Sequence, residues 1–339
     1  MLLLVTVAAA GLGHVGAVAA QTLAARGYLL DLPGAHRVHA SAIPRGGGAG
    51  FAVAWVLLGL LPNFAIPQVG QWQLSAGLLA IAVAMVAIVG WIDDLRGLAA
   101  WPRLAVHVLA GAAVGAAWWV GTPAMSPSGM AIGALIAGAT SASINLHNFF
   151  DGADGLLATQ ALFVLTVFAW LALGAGHMPL AIMSVAMAGA IAAFLPHNAP
   201  RARVFMGDVG SGTIGLAIAA VGVLAVRDEV LTLPVLLLLV SGCLIDTGMT
   251  LAARILHARR FWRRHHEHLY QWLVRTGWSH SKVVAAWLAW NLAVVLPAVV
   301  YARRQPAEGW LLAAIVYAFG MLIWVLAKRR LRSRPRGVQ

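Results

Sequence analysis

Two adjacent carboxylates, Asp93 and Asp94, close an apolar stretch in Gly90-Trp-Ile-Asp93-Asp94-Leu-Arg96. Neighbours on a helix diverge by about 100°, so both reach one ion only near a helix end. Uncompensated they repel, and a divalent cation or an arginine removes that cost. Mg²⁺ is commonly held by one or two carboxylates plus substrate phosphate oxygens. The plainer reading is a solvated acidic helix terminus. A second stretch, Asn145-Leu-His-Asn148-Phe-Phe-Asp151-Gly-Ala-Asp154-Gly, is denser. Asp151 and Asp154 are three apart and share a face on a helical turn, and Asn145 and Asn148 repeat that spacing. An Asx/Gly turn alone needs no such register. Phe149 and Phe150 suit base stacking, or lipid and packing contacts at a membrane interface.

Three further stretches are glycine-rich or basic. Asp31-Leu-Pro-Gly-Ala-His36-Arg37-Val-His39 leads to Ile43-Pro44-Arg45-Gly46-Gly47-Gly48. Proline and consecutive glycines interrupt a helix and leave N–H groups free, which with Arg37, Arg45, His36 and His39 predicts an anion cradle. A basic anchoring loop with a glycine hinge is the alternative. Arg201-Ala-Arg203-Val-Phe-Met-Gly207-Asp208-Val-Gly210-Ser211-Gly212 opens a helix pattern whose start favours phosphate, with Asp208 as a metal ligand or a plain N-cap. Residues 259–268 hold four arginines and three histidines, Arg264, His265 and His268 among them. They read as a phosphate-facing surface, against a basic stretch for anionic lipid or a zinc site. Asp246 lies deep in an apolar run, as a structural carboxylate paired with Arg254 or a hydroxyl, or as a ligand. His14, His107 and His177 are isolated and receive no role.

The elements that position these residues are membrane helices. The 339-residue chain is 61% hydrophobic and 10% charged, with a mean hydropathy of +0.84. Soluble domains are roughly 45–50% apolar and about 25% charged, so a soluble fold would have nothing to put on its surface. One cysteine, Cys243, excludes a disulfide scaffold. A spanning helix needs about 20 apolar residues. Eleven windows qualify, near 2–24, 47–66, 72–92, 103–121, 129–147, 156–175, 178–195, 210–226, 230–252, 282–301 and 309–327. The first has no positive leader and reads as an uncleaved helix. The expectation is an all-α polytopic membrane protein, one domain over residues 1–339 without internal repeats.

Eleven spans place one set of loops, near 25–46, 93–103, 148–155, 196–209 and 253–282 with the C-terminal tail, on one side. That side carries 20 of the 23 Lys and Arg; Arg227, Arg303 and Arg304 fall opposite. The positive-inside rule makes the first side cytoplasmic, the N-terminus periplasmic and the C-terminus cytoplasmic. Of the 11 acids, Asp228, Glu229 and Glu308 are outer-turn charges. The remaining eight lie at the cytoplasmic side, and carboxylates near hydrocarbon usually serve function.

The ordered motifs from Asp31 to about Lys282 are D-x-P, P-R-G-G-G, G-x-x-D-D, N-x-x-N-F-x-D-G-x-D-G, F-M-G-D-x-G-S and a late histidine loop. Together they resemble the polyprenyl-phosphate N-acetylhexosamine-1-phosphate transferases, the family of phospho-N-acetylmuramoyl-pentapeptide transferase. His265-His-Glu-His268-Leu-Tyr-Gln followed by Gly277-Trp-Ser-His280 is similar to the branch that initiates O-antigen synthesis, and the histidine triplet of the peptidoglycan enzyme is not seen. His36 and Val38 flank Arg37 where the family usually has R-S-x-H.

The resemblance implies that a polyprenyl phosphate oxygen attacks the β-phosphorus of a UDP-N-acetylhexosamine, releasing UMP. It implies undecaprenyl phosphate and the bilayer as partners, no nucleic acid, a homodimer as one assembly, and a bacterial inner membrane with the site on the cytoplasmic face. By motif, Asp208 matches the Mg²⁺ ligand, with Mn²⁺ as an alternative ion, and Asp93 the carboxylate that activates the acceptor. Asp94 supports the metal or orients Asp93; Asn145, Asn148, Asp151 and Asp154 line the nucleotide pocket. His265 and His268 are implied as catalytic, holding diphosphate or sugar with Arg264, while Arg37, His39 and Arg45 bind substrate. A phosphate monoester is mostly dianionic at neutral pH, which removes the need for a general base. Single displacement is the simpler course; a covalent Asp-phosphoryl intermediate is the other. A transporter would spread acids through the midplane and show an inverted repeat, and the CDP-alcohol phosphotransferase motif is missing after Asp151-Gly152.

Overall fold

The computed structural model describes residues 1–31, 42–65, 70–120, 126–199, 201–257 and 266–332. Arg37, His39, Arg264 and His265 lie outside them. Helices dominate, as they must where no water satisfies backbone groups. They are α1 (Leu2–Ala25), α2 (Ala49–Ala54), α3 (Gly70–Arg96), α4 (Ala100–Trp119), α5 (Pro127–Phe150), α6 (Leu156–Gly174) and α7 (Met178–Asn198). Then follow α8 (Gly207–Arg227), α9 (Leu233–Leu256), α10 (Leu269–Arg275), α11 (His280–Trp290), α12 (Leu296–Arg304) and α13 (Gly309–Arg332). A two-residue antiparallel pair, β1 (Leu30–Asp31) with β2 (Ile43–Pro44), joins α1 to α2.

Proline at the first turns of α5, α7 and α9 starts helices where its missing N–H costs nothing. A π-helical segment, Asn291–Val295, joins α11 to α12 just ahead of Pro297, whose ring clashes with a regular preceding turn. There the buried Asn291 donates to Gln160 of α6 at 2.7 Å, a polar tie between helices in an apolar setting.

Ten helices among the described residues are long and apolar enough to cross a membrane. The window 47–66 differs from expectation: it holds a shorter apolar helical segment, Ala49–Asn63, with a π-helical stretch at Trp55–Leu60. Two features shorten it. Gly47 and Gly48 bond to another chain segment, and Pro62 forces the last turn into a 3₁₀ helix.

At the centre stands α8, with 89% of its spanning window buried against 22% for α1. Glycines allow the close contacts: a Cβ on Gly215 would lie 2.8 Å from the Ile144 Cα of α5, and one on Gly90 2.6 Å from the Val209 nitrogen. At one end of the bundle, Arg227 of α8 donates to the Ala117 carbonyl of α4 at 2.8 Å and lies 5.0 Å from the Trp72 ring centre of α3. Asp228 pairs there with His177 at 3.2 Å. At the opposite end the functional residues gather.

Candidate active site

The start of α8 organises the site. Gly207 has φ +75°, a left-handed conformation suited to glycine, and a Cβ there would collide with the Asp94 carboxylate. That carboxylate caps α8: Oδ1 accepts the Asp208 N–H at 2.9 Å and Oδ2 the Val209 N–H at 3.2 Å. Arg45 also donates to Oδ1, and the Asp94 side chain is fully buried. Both oxygens are therefore engaged, which makes Asp94 a holder of the helix start rather than an open metal ligand. The same bonds correct the expected phosphate seat, because Asp94 takes the first amides of α8.

The glycine cradle is corrected likewise. Gly47 N–H donates to the Phe205 carbonyl at 3.1 Å and Gly48 N–H to Met206 at 2.9 Å, while Phe205 N–H donates to Pro44 at 2.7 Å. These glycines seat the loop before α8, and their amides are not free for an anion. A Cβ on Gly48 would meet the Gly210 nitrogen at 2.8 Å, so the segments touch backbone to backbone.

From this scaffold Asp208 faces three side chains. Its Oδ1 accepts from Asn148 Nδ2 at 2.7 Å, and its Oδ2 accepts from Arg103 Nη1 at 3.2 Å and lies 3.9 Å from Arg45 Nη2. Arg103 Nη1 also donates to Asp93 Oδ2 at 2.5 Å, and Asp93 Oδ1 accepts the Leu98 N–H. Asn148 further donates to Ser211 at 3.0 Å. One guanidinium thus bridges the carboxylates that end α3 and begin α8.

Asp151 follows α5 directly, and among the described residues its carboxylate accepts no hydrogen bond. Burial, with the Asp208 and Asp94 carboxylates nearby, pushes Asp151 up to about 8. Asp154 is tied down, 3.0 Å from His280 and accepting the Ala202 N–H at 3.0 Å. Asn145 turns back to the Ser141 carbonyl at 2.7 Å, so of the two asparagines Asn148 is the one hydrogen-bonded to Asp208. His268 is 2% exposed, stacked with Tyr270 and Phe149, and joined to Gln271 in a reciprocal capping box at the start of α10. Burial, then the Lys328 charge, lower it to about 3, so it is neutral at pH 7. A neutral imidazole can hold a diphosphate or sugar only by hydrogen bonds, and here the ring is enclosed between Phe149 and Tyr270.

Sequence reasoning missed four residues. Arg103 counted only as a topology charge. Ser211 and His280 stood only as members of their motifs, and Asn198 was not singled out. Asn198 accepts the Gly155 N–H at 2.9 Å and donates to Val204 at 3.0 Å, fixing the loop before α8. A polar residue ending an apolar helix is the signal that would have found it.

The donor set fits Mg²⁺ in chemistry. Asp93 and Asp208 offer hard carboxylate oxygens that converge on the Arg103 guanidinium, and the Asp151 carboxyl lies close to Asp208. Among the described residues no group of three or more His, Cys, Asp or Glu is close enough to hold a metal alone.

Residues 76–226 match the family model for glycosyl transferase family 4, a stretch that contains Asp93, Asp94, Arg103, Asn148, Asp151, Asp154 and Asp208. The chain is 29% identical to a decaprenyl-phosphate N-acetylglucosaminephosphotransferase of Mycobacterium tuberculosis, over 87% of this chain and 82% of the relative. It is also 29% identical to the protein of that name in Mycolicibacterium smegmatis, over 94% and 86%. A phospho-N-acetylmuramoyl-pentapeptide-transferase of Clostridium kluyveri is 32% identical over 42% of this chain and 44% of its own length. The chain is thus similar over most of its length to polyprenyl-phosphate N-acetylglucosamine phosphotransferases, and over residues 76–226 to glycosyl transferase family 4.

Proposed function

We propose that this protein transfers N-acetylhexosamine 1-phosphate from a UDP-sugar to undecaprenyl phosphate, releasing UMP and leaving the sugar on a polyprenyl diphosphate. The product would initiate a surface polysaccharide such as O-antigen. The carrying observation is Arg103 between Asp93 and Asp208, beside Arg45 and Asn148. A pocket for two phosphorylated reactants needs such alternating charge to align them and offset their repulsion. The relatives' names support a polyprenyl phosphate acceptor and an N-acetylglucosamine donor.

In this reading a dianionic acceptor oxygen attacks the β-phosphorus, and the bond from that phosphorus to the bridging oxygen breaks. Its electron pair leaves with UMP. The acceptor needs no deprotonation at neutral pH, so Asp93 acts as an anchor for charge rather than as a base. Arg103 and Arg45 neutralise the diphosphate, and Asn148 orients Asp208. Mg²⁺ held by Asp208 and Asp93 would polarise the phosphoryl oxygens. Asp94 keeps Asp208 in place by capping α8. The charge distribution supports a bacterial inner-membrane enzyme with this end of the bundle cytoplasmic, the N-terminus periplasmic, and Ala49–Asn63 as an eleventh crossing.

The test supplies membranes containing the protein with undecaprenyl phosphate, Mg²⁺ and a panel of UDP-N-acetylhexosamines plus the UDP-N-acetylmuramoyl-pentapeptide. UMP and lipid product are read by mass spectrometry. Asp93→Asn and Asp208→Asn should each cut UMP release by at least about 1,000-fold while the protein still inserts. Normal turnover in either variant removes that residue from the assignment. Product from the pentapeptide donor alone would move the protein to the peptidoglycan branch.

A further inference from the structure

We propose that Asp246, Tyr270 and Trp324 are positioning residues for the nucleotide side of this site. The proposal rests on the reading that Asn148 and Asp151 face the UDP-sugar. Asp246 is buried within α9, ten residues before its end at Leu256. A carboxylate at that depth is expensive and needs partners. Three donors converge on it: the Leu269 N–H at 2.6 Å, the Tyr270 N–H at 3.2 Å and Trp324 Nε1 at 3.0 Å. One acid thereby joins α9, the start of α10 and the end of α13.

The same corner is fastened twice more. Lys328 of α13 donates to the Glu267 carbonyl, and its ammonium lies 5.0 Å from the Trp324 ring centre and 5.3 Å from that of Trp272. Arg254 of α9 pairs with the Glu267 carboxylate at 2.6 Å. With α10 pinned, Tyr270 is fixed in direction. Its hydroxyl donates to the Phe149 carbonyl at 2.8 Å, and its ring lies edge-on to Phe150, 5.8 Å between centres. A Cβ on Gly152 would come within 2.9 Å of the Tyr270 Cζ, so the phenol fills the space under that glycine. The turn that Tyr270 supports, Phe149–Gly152, carries Asp151 and directly follows Asn148, which holds Asp208 at 2.7 Å. The path runs from α13 through Asp246 and Tyr270 to the residues aimed at the donor.

The test uses the full chain in membranes or detergent, with Tyr270→Phe, Asp246→Asn and Trp324→Phe. Phe is chosen at 324 because that side chain also lines a cavity of about 810 Å³ with Trp287, Trp290 and Phe319, where truncation would alter packing. Hydrogen exchange is followed in peptides spanning 147–156, with KM for each substrate and thermal unfolding. Tyr270→Phe should speed exchange in 147–156 and raise the UDP-sugar KM about threefold to tenfold, as loss of one hydrogen bond allows. The polyprenyl-phosphate KM should not move, and the unfolding temperature should fall by no more than the few degrees that one lost hydrogen bond costs. Asp246→Asn should act in the same direction and further, and Trp324→Phe less. Unchanged exchange in 147–156, or an equal rise in both KM values, overturns the proposal. If the wild type turns over no donor, the transfer reading fails and the exchange result alone decides the positioning. If Asp246→Asn does not fold, Tyr270→Phe, which removes a single hydroxyl, decides it.

Discussion

Arg103 joins Asp93 to Asp208, 105 residues further along the sequence than the arginine itself, and no other described side chain donates to both. Removing it leaves two facing carboxylates and one fewer cation for phosphate. Arg103→Ala should lower kcat by about 100-fold or more with insertion intact. Arg103→Lys should recover only part, since an ammonium lacks the planar fork. Equal loss in the two variants would contradict the bridging role. Asp151 gives a pH signature. Held up to about 8, it is a neutral acid at pH 7 and gains a charge facing the diphosphate as pH rises through 8. The UDP-sugar KM should therefore climb above pH 8 in the wild type and stay flat in Asp151→Asn. Stability has a definite sign too. The unfolded chain releases this proton near pH 4 while the folded chain keeps it to about 8, so stability falls with rising pH between those values and levels off above. Thermal unfolding at pH 5 and pH 8 should show that decline shrink in Asp151→Asn; an identical decline would remove Asp151 as its source. Asp93, Asn148 and Asp208 were legible in sequence because their motifs are dense in polar residues. Arg103 was not, because a single arginine at a helix start looks like any cytoplasmic charge.

At the scale of elements, the glycines do their work by letting backbones touch. Gly90 of α3 sits against the Asp208–Val209 peptide, where a Cβ would lie 2.6 Å from Val209 N and 2.8 Å from the Asp208 carbonyl carbon. Gly90→Ala should push α8 away from α3, weaken the Asp94 cap, and lower activity and unfolding temperature together. Gly11→Ala, on α1 with open space around it, should change neither. Activity retained in Gly90→Ala would show that the cap tolerates displacement. The three glycines before α2 were recognisable as a helix break, yet their purpose was not. A sequence shows that an amide is accessible, not which carbonyl it will meet. Here Phe205 and Met206 take the amides of Gly47 and Gly48 from more than 150 residues away. For the same reason the sequence left Asp94 a support for metal or for Asp93, and Asp246 a structural carboxylate or a ligand; in the fold both cap the first turn of another helix, α8 and α10.

At the scale of the molecule, apolar windows and basic loops made the architecture readable, because hydrocarbon leaves few alternatives to a helix. The exception, Ala49–Asn63, is where Pro62 and the hydrogen-bonded Gly47 and Gly48 shorten the segment. Sidedness is tested with single cysteines, since Cys243 is buried and gives no background. Arg201→Cys should resist a membrane-impermeant maleimide added to intact cells, and Ala307→Cys should react; the reverse pattern would invert the topology. In the proposed reaction phosphate moves with the sugar. This transfer is tested most directly with UDP-N-acetylglucosamine and other UDP-N-acetylhexosamines radiolabelled in the β-phosphate, given to these membranes with undecaprenyl phosphate and Mg²⁺. Label should enter the lipid phase while unlabelled UMP appears in the water phase. Label left in water as UDP while sugar enters the lipid, or no transfer from any donor, would contradict the proposed reaction.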